Sequence, residues 1–414
     1  MNKPYSQVLQ YYIGMTRKFL LVTLLTFLSL VAYGQDYQAA VDRFVKTSGV
    51  KSGSLAVKVV DLKTGETLGV HNAERPLVPA SIMKSVSTAS LLEKVGPDFR
   101  YHTRVYIDGP LDMGILRGNL VVVGAGDPSV NSVPEPHGNS IVEEIAEIVK
   151  SMGIHRIEGK IIVDNSEFAG PSRPSSWQEA DFKESYGTGF HSFNYQNNAS
   201  GKKSVENPAA VFVRQLTSVL HSDGVTIDGK ELGDGQRTQI FDHMSPQLDD
   251  IMRSCMMRSD NLFAESILRT YGKQEGGDGS TDDAAKREYE HWVSKKVPME
   301  GVNIIDGSGL SRSNRVTADF MSGVLGEMSN DATYASFFPL AGQEGTLKSF
   351  LAQTPLDSYI AMKTGSMKGI QCYAGYKLDD DYAPTHSVVI MMNDLNNRAV
   401  AKKAAEKMLL EIFK

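Results

Sequence analysis

Three short polar motifs, Ser81-Ile-Met-Lys84, Ser259-Asp-Asn261 and Lys363-Thr-Gly365, interrupt otherwise apolar stretches of this 414-residue chain. They stand 178 and 104 residues apart, so any fold that unites them is assembled from distant pieces of sequence. Each motif has look-alikes: Ser48–Lys51 and Ser200–Lys203, Ser129–Asn131 and Ser192–Asn194, and Lys63-Thr-Gly65. Context separates the copies. Ser81 follows Pro79-Ala80 and opens an apolar helix expected to run to about Val95. Residues i and i+3 share a helix face, which brings Lys84 to the Ser81 hydroxyl, and the helix start supplies free N–H groups and a positive dipole end. Ser48–Lys51 and Ser200–Lys203 fall in polar, glycine-containing loops, and Lys63-Thr-Gly65 suits a hairpin tip. Lys363-Thr-Gly365 ends the extended segment Tyr359-Ile-Ala-Met and suits a sheet edge, while Ser259-Asp-Asn261 breaks a buried helical pair.

Those residue types define a chemistry. A serine hydroxyl is a weak nucleophile until a base takes its proton. A lysine can be that base when burial and a neighbouring cation lower its pKa, and Lys84 beside Lys363 meets both conditions. On this reading Ser81 attacks, Lys84 accepts its proton, and Ser259 relays a proton to a leaving amine. Asn261 holds the substrate backbone. Lys363 and Thr364, followed by Gly365 and Ser366, bind a terminal carboxylate. The backbone N–H groups of Ser81 and Ser366 form an oxyanion hole.

Other classes fall away. The net charge of −6 and the lack of any basic block argue against nucleic-acid binding. Two cysteines cannot build a disulfide scaffold, and nine scattered histidines form no HExxH, so no metal and no cofactor is expected. Cys255 in an apolar helix and Cys372 on a strand favour buried free thiols, with a bridge as the alternative. Gly124-Ala-Gly-Asp lacks the third glycine and the following helix of a dinucleotide site. Gly307-Ser308-Gly309 lacks the spacing of a nucleophile elbow.

Residues 1–34 carry Lys3, Arg17 and Lys18, no acid, a 13-residue apolar run from Phe19, and small residues before Gln35. This is the pattern of a signal peptide cleaved near Gly34, started from Met1 or Met15. The run is shorter than the ~20 residues that cross a membrane, so export with at most peripheral membrane association is expected. Beyond it, the pattern predicts helices over 36–47 and 246–268, and strands over 55–62, 67–71, 103–107, 118–124 and 159–164. A capping box at Ser140/Glu143 and the pair Asn207-Pro208 each start a helix. Strands over 358–364, 372–378 and 387–393 and a helix over 398–413 close the chain.

With these residues in hand the chain resembles the D-alanyl-D-alanine carboxypeptidase/endopeptidase family, the low-molecular-mass class C penicillin-binding proteins. Pro79-Ala80-Ser81, Gly118–Pro128, Asp306-Gly-Ser-Gly-Leu-Ser311 and Lys363–Met367 look like its signatures, and the resemblance covers most of the mature chain. It implies an α/β (α+β) fold. A serine β-lactamase/penicillin-binding transpeptidase-like domain, residues 35–99 and 241–414, would be split by an inserted strand-rich α+β domain at 100–240. A second inserted domain found in the family is missing or vestigial. The resemblance also implies that Asp127 and Met367 line a pocket for the free end of a stem-peptide side chain, where an acid suits an amine such as that of diaminopimelate. The residues alone read Gly124–Ser129 equally well as a strand-ending turn.

The function implied is that of an exported serine-type D-Ala-D-Ala carboxypeptidase, with DD-endopeptidase action on cross-links as a companion activity. Peptidoglycan stem peptides would be its substrates, an acyl-Ser81 its intermediate, and β-lactam antibiotics its covalent inhibitors. A β-lactamase is the alternative, but residues 262–362 hold no ExxLN-like segment to supply its deacylating glutamate. A non-catalytic cell-wall-binding protein is the other, and it would be expected to lose the serine or a lysine.

Overall fold

The computed structural model describes residues 37–132, 140–233 and 235–413; the expected leader at 1–34 lies outside them. Helix α1 (37–47) precedes the hairpin β1 (Leu55–Asp61) and β2 (Thr67–His71), and α2 (Met83–Val95) follows. At the hairpin tip Asp61 Oδ1 accepts the N–H groups of Lys63 and Thr64 at 2.9 and 2.8 Å, so this copy of Lys-Thr-Gly is a turn. The next segment carries β3 (His102–Asp108), β4 (Asn119–Val123), α3 (Ile141–Ser151), β5 (Ile161–Asp164), α4 (Pro208–Ser222) and β6 (Arg237–Met244). Helices come next: α5 (Leu248–Arg258), α6 (Asn261–Gln274), α7 (Thr281–Ser294) and α8 (Ala318–Glu327), followed by a short five-residue helix over Ala332–Ser336. The chain closes with β7 (Ile360–Met367), β8 (Ile370–Leu378), β9 (Pro384–Met392) and α9 (Arg398–Ile412).

The first and last strands make one antiparallel sheet in the order β7-β8-β9-β1-β2. Side chains alternate across its faces, as a strand's period of two demands. Leu55, Val57, Val59, Ile360, Met362, Val388, Ile390 and Met392 pack with α1 and α9. Ala56, Ala361, Val389 and Met391 face the opposite layer, built from α2, α5, α6, α7 and α8. Lys363, two residues after Ala361, therefore turns toward α2.

A second sheet, β6-β3-β4-β5, packs with α3 and α4 around its own core of residues such as Leu120, Val122, Ile145, Phe212 and Leu216. Strand β6 runs across residue 240, where the sequence reading ended the insertion. Its pairing from Arg237↔Asp108 to Met244↔His102 carries that segment on to Met244. Residues 165–205 have only 3-10 turns and two-residue strands. Arg269 of α6 ties them to the helical layer: its guanidinium donates to the carbonyls of Ala169 and Pro171 and lies 4.4 Å from the Phe190 ring centroid.

Three details depart from expectation. The Ser140 side chain makes no cap bond and its hydroxyl accepts Asn131 Nδ2 at 2.9 Å instead, so the capping box is not formed. Helix α7 escapes the sequence reading because Ala284, Ala285, Glu288 and Trp292 are nearly all it buries beyond its first residue, too thin an apolar stripe to read. Helix α8 falls within residues 269–357, for which the sequence pattern predicts no element. Cys255 and Cys372 are both free and buried, the favoured of the two readings.

Candidate active site

The nucleophile candidate sits on a tight turn. Pro79 is helical in backbone, Ala80 has φ +49°, and Ala80–Ile82 form a 3-10 turn that runs into α2. Ser81 is thus one turn ahead of the α-helix proper. Left-handed alanine is strained, and neighbours hold it there. Gly309 passes so close that a Cβ would overlap the Ala80 carbonyl oxygen. The geometry puts Lys84 Nζ 3.0 Å from Ser81 Oγ, as the i, i+3 spacing predicts.

Lys84 is completely buried, and its Nζ also donates to Asn261 Oδ1 at 2.6 Å and to the Ser308 carbonyl at 2.7 Å. Desolvation pushes its pKa down, opposed by Cys255, Asp306, Glu265 and Asp260. Ser259 caps α5 with φ +58°, and Asp260 starts α6 by accepting the Phe263 N–H. This two-residue break between helices aims Ser259 and Asn261 at the nucleophile. Lys363 Nζ is 2.8 Å from Ser259 Oγ and 2.9 Å from the Thr364 carbonyl oxygen. Burial drives its pKa well below the ordinary lysine value, and the nearby Lys84 adds to the fall.

Two chambers meet at Ser81, Ser259 and Ser366. One, of about 350 Å³, is lined by Thr346, Phe350, Thr364, Tyr373, Arg398 and Lys402. The other, of about 440 Å³, has Gln178, Asp181, Tyr186, Arg312 and Met367 on its walls. Both are of ligand-binding size. Thr364, Ser366 and Met367 line them, whereas Lys363 is buried behind Ser259 and reaches neither. Gly365 packs on the nucleophile turn. Asn261 lines the second chamber, its amide bonded to Lys84 on one side and to the Tyr186 carbonyl at 2.8 Å on the other.

Asp127 does not line either chamber. It is buried in the turn that ends β4, where its Oδ1 accepts the Ser129 N–H at 2.7 Å and hydroxyl at 2.6 Å, and burial raises its pKa. The strand-ending turn is what this stretch forms. The carboxylate beside Met367 is Asp181, which accepts the Tyr186 hydroxyl at 2.9 Å. Nothing in the local sequence marks Asp181: it lies in an irregular segment and reaches the chamber only through tertiary contacts. Asp306 and Ser308, which the sequence offers only as part of a signature, lie directly behind Lys84.

The fold matches the crystal structure of penicillin binding protein 4 from Haemophilus influenzae, with a TM-score of 0.75 at 19% identity over 90% of this chain and 97% of that one. Among curated relatives, a D-alanyl-D-alanine carboxypeptidase of an Actinomadura species is 24% identical over 81% of this chain and 77% of its own. Carboxypeptidase DacB of Mycolicibacterium smegmatis is 27% identical over 79% and 74%. The model of the D-Ala-D-Ala carboxypeptidase 3 (S13) family matches residues 37–201 and 194–411, and with its serine, lysines and asparagine gathered at one cleft the chain belongs to that family.

Proposed function

We propose that this protein is an exported serine-type D-Ala-D-Ala carboxypeptidase that cleaves peptidoglycan stem peptides through an acyl-Ser81 intermediate. The observation that carries the reading is the set of partners around Lys84. Two of its three neighbours, Asn261 Oδ1 and the Ser308 carbonyl, can only accept hydrogen bonds. A neutral amine gives them its two N–H groups, and its lone pair then points at Ser81 Oγ, 3.0 Å away. Full burial favours that neutral form.

The steps follow. Lys84 takes the Ser81 proton as Oγ attacks the carbonyl of the penultimate D-alanine, and the N–H groups of Ser81 and Ser366 stabilise the oxyanion. Ser259, held by Lys363, relays that proton from Lys84 to the leaving amine as the C–N bond breaks. Thr364 and Ser366 meet the terminal carboxylate, with Lys363 held beneath them on Ser259 and the Thr364 carbonyl rather than in direct contact. Asp181 meets an amine on the stem-peptide side chain in the chamber that Met367 lines. Water then releases the acyl group.

The chamber beyond Thr364 favours a companion endopeptidase activity. A leaving D-alanine has six heavy atoms, and about 350 Å³ that continues to Arg398 and Lys402 accommodates the larger leaving group of a cross-linked peptide. Export rests on the leader pattern of residues 1–34, and among the described residues no helix is long and apolar enough to cross a membrane.

The test is the intact mass of the mature protein after mixing with penicillin, beside Ser81→Ala. A long-lived adduct on the parent and none on the variant is expected. Rapid drug turnover without an adduct would point to a β-lactamase. Neither adduct nor turnover would leave a wall-binding protein.

A further inference from the structure

The Asp306-Gly-Ser-Gly-Leu-Ser311 loop is more than a wall behind Lys84. The Asp306 side chain is fully buried, and each of its oxygens takes two donors. Oδ1 accepts the Gly309 N–H at 2.8 Å and Asn314 Nδ2 at 2.7 Å. Oδ2 accepts the Ser311 N–H at 2.6 Å and the indole Nε1–H of Trp177 at 2.8 Å. The Gly309 N–H and the Ser308 C=O belong to one peptide group, and that C=O accepts Lys84 Nζ at 2.7 Å. Carboxylate, peptide and lysine therefore form a single hydrogen-bonded series whose dipoles point the same way. Such series polarise cooperatively where water is excluded.

Glu265 is placed differently. Its Oε1 accepts the Ser308 N–H at 2.9 Å, which belongs to the preceding peptide, so it orients the residue without polarising the carbonyl that Lys84 uses. The other charged or titratable groups around Lys84 are Cys255 on α5, Asp260 at the start of α6 and Lys363 on β7. Glu288 of α7 stands behind Glu265 and Asp306. Of all these, Asp306 is the one joined to Lys84 through one polarised peptide. It also takes a donor from residues 165–205, the Trp177 indole next to Gln178 on the chamber wall; Asp260 accepts Asn197 Nδ2 at 3.4 Å from the same segment but has no such peptide link to Lys84.

We propose that Asp306 is a positioning residue that acts on Lys84 through the Ser308–Gly309 peptide, and that the Trp177 indole sets how strongly it acts. The reading rests on Lys84 as the acylation base. Asp306 makes the Ser308 carbonyl a stronger acceptor and so favours the ammonium, holding Lys84 against burial, while the Trp177 N–H draws off part of the carboxylate's charge. The inserted segment thereby tunes the base from a distance, with no contact to the reacting atoms.

The test is the pH profile of the second-order rate of acylation by penicillin, for the parent, Trp177→Phe, Asp306→Asn and Lys84→Ala. The rate rises with pH as the lysine loses its proton, and the midpoint of that limb is the readout. Trp177→Phe keeps the ring and frees the carboxylate, so the limb moves to higher pH by about 0.3 unit or more. Asp306→Asn removes the charge, so the limb moves to lower pH by about one unit, or about tenfold in rate at a fixed pH below the midpoint. Opposite shifts are the expected result, since a merely structural loss would slow both variants without moving the limb. Limbs that stay in place or move in the same direction overturn the proposal. Should Asp306→Asn fail to fold by circular dichroism, Trp177→Phe alone decides, an unmoved limb overturning it. Acylation of Lys84→Ala at the parental rate would instead remove the base assignment itself.

Discussion

Gly365 of the Lys-Thr-Gly motif lies against Pro79, so close that a Cβ at 365 would overlap the Pro79 carbonyl oxygen and stand 3.1 Å from the Ser81 nitrogen. The third residue of the motif is therefore glycine because the sheet edge and the nucleophile turn share that space. Gly365→Ala must push the 79–82 turn away, and a shift of this kind at a reacting atom costs up to about 100-fold in rate. The expected result is penicillin acylation slowed at least tenfold, with overpacking costing about 1–3 kcal/mol of stability. Stopped-flow acylation and a urea titration measure the two effects, and an alanine variant acylated at the parental rate would refute the shared-space argument.

Asp181 offers the chamber's carboxylate beside Met367, so Asp181→Asn is expected to discriminate among substrates. A charged hydrogen bond contributes about 1.5–3 kcal/mol, so kcat/KM for a stem peptide with a free side-chain amine falls roughly ten- to 100-fold. A peptide whose amine is acetylated loses that contact already and should show almost no difference between parent and variant. Equal losses on both peptides would mean that Asp181 only supports the fold, through Tyr186.

The contrast between Asp181 and Asp127 marks how far the sequence could be read. The strands β1, β7, β8 and β9 are legible as short apolar runs, since the sheet is covered on both faces, and the β1–β2 turn as Lys63-Thr-Gly65. The motif residues Ser81, Lys84, Ser259 and Lys363 were legible because each breaks an apolar stretch at a defined place in an element. Asp127 follows a strand as a pocket residue would, yet its neighbour Ser129 offers two local donors and the carboxylate turns inward to take them. Asp181 has no local pattern, since Arg269, 88 residues away, helps bring its segment to the cleft. Lys363 reads as a carboxylate binder until the strand's period of two sends it to the buried face. Long-range ties of that kind carry no sequence period.

Arg269 supplies the next prediction. Its guanidinium, buried among carbonyls, has its pKa pushed down to about 10 by desolvation, and it donates to Ala169, Pro171 and Gly279. Arg269→Leu leaves those acceptors without their donor, at about 1–3 kcal/mol each. Loosening of residues 165–205 is expected before global unfolding, seen as new protease cuts in that segment at temperatures where the parent resists. Unchanged cleavage would mean that other contacts hold it.

The cysteines give a simple check on packing. Cys255 and Cys372 are both fully buried, and burial pushes each thiol up to about 12. The thiolate is the reactive form, so a thiol-specific reagent at pH 8 should label neither in the native protein and both after denaturation. Two labels in the native state would contradict the packing of α5 and β8. None after denaturation without reductant would mean a disulfide.

Glu288 has the opposite electrostatic problem to the lysines. It is buried on α7 with one oxygen 3.4 Å from Ser87 Oγ, and the other has no hydrogen-bond partner among the described residues. Desolvation raises its pKa from 4.5 to about 8. A raised value means that the folded state keeps its proton while the unfolded chain has lost it. The stability it contributes is complete below about pH 4.5 and drains away as pH rises to about 8, at up to 1.4 kcal/mol per unit. Glu288→Gln cannot ionise and escapes that loss. The variant should match the parent near pH 4.5 and exceed it by about 2 kcal/mol or more at pH 8. Urea midpoints at the two pH values measure the difference. A constant offset between the proteins at both would show that Glu288 is ionised in the fold, and that an unseen partner compensates its charge.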